Sequence, residues 1–332
     1  MRNTSAAFAL AFAFLGMLIW AAPQVERPSA DLPAPIRVDV EVVNVLCSVR
    51  DRNGALISNL GKDDFIVLED GKEQEIRYFA KETDLPLTIG LLVDVSGSQE
   101  NLIEVERRAA HQFFSSVLRK KDMAFLISFG TDSELLQDYT NSLPLLRAGL
   151  DRLRLKAAVG GLHPGPVPTA GTIRGTVLYD AVYLAATDRL VGEVGRKAMV
   201  LITDGVDVGS KVNLDTAIEF AQKADAIIYS IYYIDHSVYS GGGFGGFSPG
   251  DGAIKKMSEQ TGGRLMKVDR KNSLDSIFEQ IQAEMRSQYS IGYTPPSGDL
   301  DGGFHKLEVR TRDKKLKVQA RKGYYAVKQE RR

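Results

Sequence analysis

The sequence predicts an α/β protein: a doubly wound, mostly parallel sheet flanked by N- and C-terminal β segments that form a small β-sandwich. Three observations carry this. Apolar strand-like runs alternate with helical periodicity across residues 84–286. The flanking stretches, residues 36–83 and 287–327, show period-2 alternation and turn signals instead. Each flank, at roughly 50 residues or fewer, is small for a core of its own, so packing the two together buries both. The α/β unit is then an insertion in a sandwich; two adjacent but separate β modules are the alternative arrangement.

The elements follow in chain order. Arg2, the uncharged run 6–22 and the small pair Ala21-Ala22 read as a secretory signal over residues 1–22. Trp20 and Pro23 crowd that pair, and an uncleaved membrane anchor is the alternative. No Cys follows, so there is no lipoprotein attachment point. Residues 23–35, rich in Pro and Ala, form a linker. Val38, Val40 and Val42 alternate with Asp39, Glu41 and Val43 in a half-exposed strand. Asp51-Arg52-Asn53-Gly54 reads as a hairpin turn, because Asn-Gly tolerates positive φ at both central positions. Residues 63–68 lead into a second turn, Glu69-Asp70-Gly71-Lys72, and residues 75–79 alternate as a further strand.

From residue 87 the period changes. Residues 87–93 are a near-continuous apolar run, interrupted by Thr88 and Gly90, as in a parallel strand buried on both faces. Leu102, Val105, Ala109, Phe113 and Val117 fall at helical spacing. Strands follow at 122–129 and, on an edge, 133–139. A helix at 143–155, a Gly/Pro/Thr loop at 160–175 and a helix at 177–190 precede a fourth strand at 197–203. A helix at 213–223, a strand at 226–234, a Gly-rich loop at 237–252, a short helix at 254–260, a strand at 265–268 and a helix at 274–285 complete the unit. Strands return at 288–293, 305–310 and 316–320, before Lys322-Gly323-Tyr324-Tyr325.

Bulk composition narrows the function. The chain has 42 Lys plus Arg and 42 Asp plus Glu, a balance that argues against nonspecific nucleic-acid binding. Loss of residues 1–22 removes only Arg2, leaving 41 basic and 42 acidic residues. Cys47 is the single cysteine, so no intrachain disulfide forms, and its alternating strand makes it a small buried hydrophobe.

The chemistry converges on Asp94-Val95-Ser96-Gly97-Ser98, directly after the 87–93 strand. In open α/β sheets ligands bind at that carboxyl edge. One acid and two neutral hydroxyls at alternate positions suit a hard divalent cation such as Mg2+ better than they suit catalysis. Two further segments fall at comparable places: Gly175-Thr176-Val177-Leu178-Tyr179-Asp180-Ala181, with Thr176 at a helix start, and Leu201-Ile202-Thr203-Asp204-Gly205, with Asp204 ending the fourth strand.

Together these three segments, in that order, resemble the von Willebrand factor type A domain (a Rossmann-like fold) and its metal-ion-dependent adhesion site, over about residues 85–286. The resemblance implies that Ser96 and Ser98 bind a cation through their hydroxyls. It makes Thr176 the third hydroxyl, and has Asp94 and Asp204 hold waters or the ion. Thr169 and Thr172 are alternatives for the third hydroxyl. Two carboxylates neutralise a dication, and a vacant position then accepts a partner's Asp or Glu. Helix starts near Ser98 and Thr176 would favour that anion. The ion implied is Mg2+, with Mn2+ or Ca2+ as alternatives. The flanks, from Asp63-Asp64-Phe65 through Glu69-Asp70-Gly71-Lys72 and at Arg321-Lys322-Gly323-Tyr324-Tyr325, resemble an exported bacterial type A-related subfamily abundant in Acidobacteria.

Plainer readings stand beside these. A lone Asp after a strand is a turn or cap residue, and Asp207 is read that way; Asp180 is read as an acid either on the helix face or behind the site's own ligands. His111, His163, His236 and His305 are far apart and lack zinc spacing, so they are read as surface or core residues. Tyr229, Tyr232 and Tyr233 are packing residues, and the 241–252 loop lacks a phosphate-cradling pattern. The predicted function is a metal-ion-dependent protein-binding module, secreted or periplasmic. Its partner is a protein bearing an exposed Asp or Glu, with no nucleic acid, and it meets a membrane only if the N-terminal segment is uncleaved. One alternative is a structural part of an envelope assembly with a vestigial metal site. The other, a metal-assisted hydrolase, lacks support: no general base accompanies the acids, Asp94-Val95-Ser96 lacks the second acid of Asp-x-Asp phosphotransferases, and no Ser-His-Asp pattern occurs. The chain is therefore read as a non-enzyme.

Overall fold

The computed structural model describes residues 42–81, 85–154, 175–234, 250–295 and 302–326. The signal and linker expected before residue 36, most of the 160–175 and 237–252 loops, Thr169, Thr172, His163 and His236 lie outside the described residues.

Strands β1 (Val43–Arg50), β2 (Phe65–Glu69), β3 (Lys72–Gln74) and β4 (Tyr78–Lys81) come first. The α/β part then runs β5 (Leu87–Asp94), α1 (Ile103–Val117), β6 (Met123–Phe129), β7 (Ser133–Thr140), α2 (Leu143–Leu150), α3 (Leu178–Leu184), β8 (Arg196–Thr203), α4 (Leu214–Lys223), β9 (Ala226–Tyr232), α5 (Asp251–Thr261), β10 (Leu265–Lys267) and α6 (Leu274–Arg286). Strands β11 (Tyr289–Tyr293), β12 (Phe304–Thr311), β13 (Lys317–Ala320) and β14 (Gly323–Tyr325) close the described chain. Among the described residues no helix is long and apolar enough to cross a membrane.

The central sheet has the order β10-β9-β8-β5-β6-β7. It is parallel except for β7, which pairs antiparallel with β6 at the edge. The chain moves from β5 outward to β6 and β7, then returns to β8 on the opposite side of β5. That reversal between β5 and β8 is a topological switch point, where a crevice opens at the carboxyl ends. Register matters here: Val93 pairs with Ile202, so Asp94 and Thr203 end side by side.

Both faces of the sheet are covered, which explains the near-continuous apolar character of β5 and β8. Ile89, Leu91 and Val93 point into a core shared with α1, α2 and α6, while Leu92 joins α3, α4 and α5 on the other face. Gly90 belongs to the second face. A Cβ there would lie 2.3 Å from the Phe125 ring, so only glycine lets that ring close on the sheet. The helix expected over 177–190 is α3 continued by a π turn, Ala185–Leu190.

The flanking strands form two antiparallel sheets, β13-β1-β11-β4 and β14-β12-β2-β3. Each sheet draws strands from both ends of the chain, so neither flank closes its core alone. Val43, Val45, Cys47 and Val49 of β1 face that core, together with Phe65, Val67, Tyr289, Ile291 and Leu307. Burial pushes the Cys47 thiol up to about 12, as expected for an inert packing residue. The alternate residues of β1 face the α/β part: Leu46 packs on its core, and Ser48 and Arg50 bond to Glu284 of α6. Both sheets and the α/β part belong to one compact unit, residues 40–332.

Three expectations need correction. The strand expected at 75–79 does not form as such: β3 ends at Gln74 and pairs with β2 in one sheet, residues 75–77 lie in no strand, and β4 starts at Tyr78 and pairs with β11 in the other. The chain crosses the sandwich between them and buries Ile76. A period-2 pattern cannot separate one strand from a strand that changes sheets. At 51–54 only Gly54 has positive φ (88°), with Asp51 Oδ1 accepting from the Asn53 and Ala55 N–H groups. Positive φ at both central turn residues is found instead at Asp70 (48°) and Gly71 (81°). Finally, no α-helix starts at Ser98: it lies in a 3-10 turn, Gly97–Gln99, and α1 begins at Ile103.

Candidate metal centre

At the switch point, β5 delivers Asp94 and β8 delivers Thr203 and Asp204. Asp94 is fully buried, and both of its oxygens are engaged. Oδ1 accepts the Ser96 N–H at 2.9 Å and Oδ2 accepts the Thr203 hydroxyl at 2.7 Å. The Thr203 hydroxyl oxygen in turn accepts the Gly205 N–H at 3.0 Å, which bends the chain immediately after the strand. Gly205 has φ 77° and passes so close to Gly250 that a Cβ would lie 2.6 Å from its carbonyl oxygen. A glycine is therefore required where the loop leaves Asp204.

Asp204 is also buried. Its Oδ1 accepts the Val206 N–H at 3.0 Å, and its Oδ2 accepts the Ser98 hydroxyl at 2.7 Å. The Ser98 and Ser96 hydroxyl oxygens lie 3.0 Å apart. Asp94, Ser96, Ser98 and Asp204 thus form one hydrogen-bonded group built from two loops 106 residues apart. Thr176 reaches it differently. It is buried and pairs through its backbone with Val208, N–H to O at 2.9 Å in both directions, four residues beyond Asp204. Among the described residues its hydroxyl makes no hydrogen bond to the other four. It also precedes α3 by two residues rather than starting it.

The electrostatics of this group are unusual for a loop cluster. Burial, and then the charge of Asp204, raise the Asp94 carboxyl to about 7. Two acids brought together out of water resist joint ionisation. A dication placed among them would relieve both the repulsion and the desolvation, and oxygen-only donors are the set that hard cations take. The residues present fit such an ion.

Neighbouring acids have other tasks. Asp207 Oδ1 accepts the Tyr179 N–H and the Ser210 hydroxyl, and the Asp180 carboxylate accepts the Lys211 and Val212 N–H groups. Both tie the 203–212 loop to the start of α3, in keeping with their reading as turn and helix acids. Tyr229 and Tyr232 are buried in β9 as packing residues.

Two participants escape the motif reading. Thr203 looks like one more strand residue, yet its hydroxyl is the link between Asp94 and the β8 loop. Glu106 is wholly buried, with no hydrogen-bond partner for either oxygen among the described residues. Burial, then the charge of Asp94, hold its carboxyl well above the usual range. A signal existed: Glu106 lies three residues before Ala109 and seven before Phe113, on the apolar face of α1.

No family model and no curated protein matches the chain. Among solved structures it is similar to BatB from Bacteroides thetaiotaomicron (17% identity, 60% of this chain and 97% of that one, TM-score 0.43). It is similar to the vWF domain of the type V pili tip protein Mfa5 from Porphyromonas gingivalis (12% identity, 60% and 95%, TM-score 0.44). It is also similar to proximal thread matrix protein 1 from the mussel byssus, solved with a zinc-occupied MIDAS motif (12% identity, 64% and 48%, TM-score 0.46).

Proposed function

We propose that this chain is an exported von Willebrand factor type A protein that binds a protein partner through a divalent cation. Asp94, Ser96, Ser98, Thr176 and Asp204 hold the ion, Mg2+ or else Mn2+ or Ca2+, and leave one position for an Asp or Glu of the partner. The observation that carries the reading is the joining of Asp94, Ser96, Ser98 and Asp204 at the β5/β8 switch point, where two buried acids face hydroxyls. Oxygen donors without a general base favour binding over turnover. The flanking motifs support assignment to the exported bacterial subfamily, and the apolar N-terminal run supports a secreted or periplasmic location.

A second reading, an envelope component with a vestigial site, is favoured by one feature: Ser98 and Asp204 already satisfy each other. Titration of Mg2+ or Mn2+ into metal-free protein separates the two. A site specific to the folded state stabilises it by about 2.7 kcal/mol at a hundredfold excess over Kd. We expect the melting temperature to rise, and Asp94→Ala to abolish the rise. No shift at millimolar metal selects the second reading. Capture of envelope proteins with Mg2+ present, and their release by EDTA, tests the partner half of the proposal; capture unchanged by EDTA refutes it.

A further inference from the structure

The sandwich gathers a second donor set, remote in sequence and chemically different. Glu69 ends β2, Asp70 opens the β2–β3 turn, and His305 is the second residue of β12. Asp70 and Lys306 lock the two strands together: the Asp70 N–H donates to the Lys306 carbonyl, and the Lys306 N–H donates to Asp70 Oδ1, both at 2.9 Å. This places His305 Nδ1 3.0 Å from Asp70 Oδ2 and 3.5 Å from Glu69 Oε1. One donor atom from each residue lies within 4.8 Å of the other two. Around an ion with bonds of about 2.0–2.2 Å, neighbouring donors stand roughly 3–3.5 Å apart, so little movement would close the shell.

A second observation points the same way. Glu69 is 4% exposed, and its Oε2 is buried without a hydrogen-bond partner. Among the described residues the Tyr324 hydroxyl donates to Glu69, to Oε1 at 3.4 Å. A carboxylate in that position is costly unless a positive charge compensates it. Asp70, on the exposed side, gives an ion a path in.

We propose that Glu69, Asp70 and His305 form a binding site for a borderline divalent metal of the Zn2+ class, which fastens the β2–β3 turn to β12. An imidazole nitrogen with two carboxylates suits Zn2+ rather than Mg2+ or Ca2+, and the two acids neutralise the dication. The competing arrangement is metal-free: a protonated His305 paired with both acids.

Co2+, a visible-absorbing substitute for Zn2+, tests this on the full chain. The titration is run on Asp94→Ala protein and, separately, on the unaltered protein with millimolar Mg2+ to occupy the switch point. We expect one Co2+ per chain with nitrogen-ligated visible absorption, displaced by Zn2+. His305→Gln and Asp70→Asn should each weaken binding by at least about tenfold. Asn tolerates the left-handed turn and keeps the acceptor for the Lys306 N–H, so Asp70→Asn removes a ligand charge while sparing the turn. Absence of Co2+ and Zn2+ uptake, or uptake unchanged in both variants, overturns the proposal. Neither result depends on whether the switch point binds Mg2+.

Discussion

Glu284 and Glu106 are both completely buried, on helices α6 and α1 that border the same core, yet their surroundings are opposite. Glu284 stands at the seam between the α/β part and the sandwich. Its Oε1 accepts the Ser48 hydroxyl at 3.0 Å, and its Oε2 accepts Arg50 Nη2 at 2.5 Å and Arg264 Nε at 2.9 Å. Glu106 lies under the switch point with no hydrogen-bond partner among the described residues, in the field of Asp94. At the seam the buried charge is matched by guanidinium groups from two parts of the fold, so it acts as a fastener. Beneath the switch point, burial and then the charge of Asp94 hold an acid well above the usual carboxylate range instead. Burial alone therefore says little about a carboxylate; what faces it decides its state and its task.

Removing one member of the seam network should have the largest effect. Glu284→Ala leaves Arg50 and Arg264 without their shared acid and should lower unfolding stability by about 3–5 kcal/mol in urea titrations. A loss well under about 1 kcal/mol would mean that the Glu284 network adds little to this junction, which Arg321 with Asp225 and Gln319 with the Gly263 carbonyl also bridge. The next effect concerns Glu106 and is pH-dependent. Its folded-state pKa lies above the ordinary value of 4.5, so between the two values the folded protein carries the extra proton. Its contribution to stability is then full in acid and declines as pH rises above about 4.5. Glu106→Gln, close in shape and uncharged, should match the unaltered protein near pH 5 and exceed it near pH 8 by on the order of 1–3 kcal/mol. Urea midpoints at the two pH values measure this; a difference that does not change with pH would place a charge on Glu106 that the fold tolerates. The smallest effect sharpens the contrast between buried and exposed pairs. Lys256 and Asp215 make a 2.5 Å ion pair with side chains 47% and 77% exposed, and Lys256→Ala should cost under about 0.5 kcal/mol.

Much of the α/β part was legible because its signals are local. Leu87 to Val93 is apolar at every position but Thr88 and Gly90, as a strand covered on both faces must be, and the spacing of Leu102, Ala109, Phe113 and Val117 marks α1. Asp94, Ser96, Ser98 and Asp204 were legible as candidates because polar side chains directly after such strands stand at a sheet edge. Other features are invisible to local pattern. Thr203 reads as strand, and only its distance to Asp94 shows its task. Residues 75–79 alternate as one strand would, although the chain passes from one sheet to the other between Gln74 and Tyr78. His305 lacks zinc spacing along the sequence, because Asp70 is 235 residues away, with Glu69 beside it, and strand pairing alone brings them near.

Residue type and periodicity were enough to settle the order of strands and helices in the α/β part, the switch from β to α/β and back, and the placing of acids and hydroxyls at strand ends. These depend on neighbours within one turn or one strand. Tertiary structure alone decided that the two flanks interleave in both sandwich sheets, and that Glu284 meets Arg50 and Arg264. It also decided that Glu106 meets no hydrogen-bond partner among the described residues. Each of those outcomes depends on which surfaces oppose one another after the chain has closed loops of many residues. Electrostatic and hydrogen-bond partners are chosen by distance in space, and the sequence encodes that distance only through the whole fold.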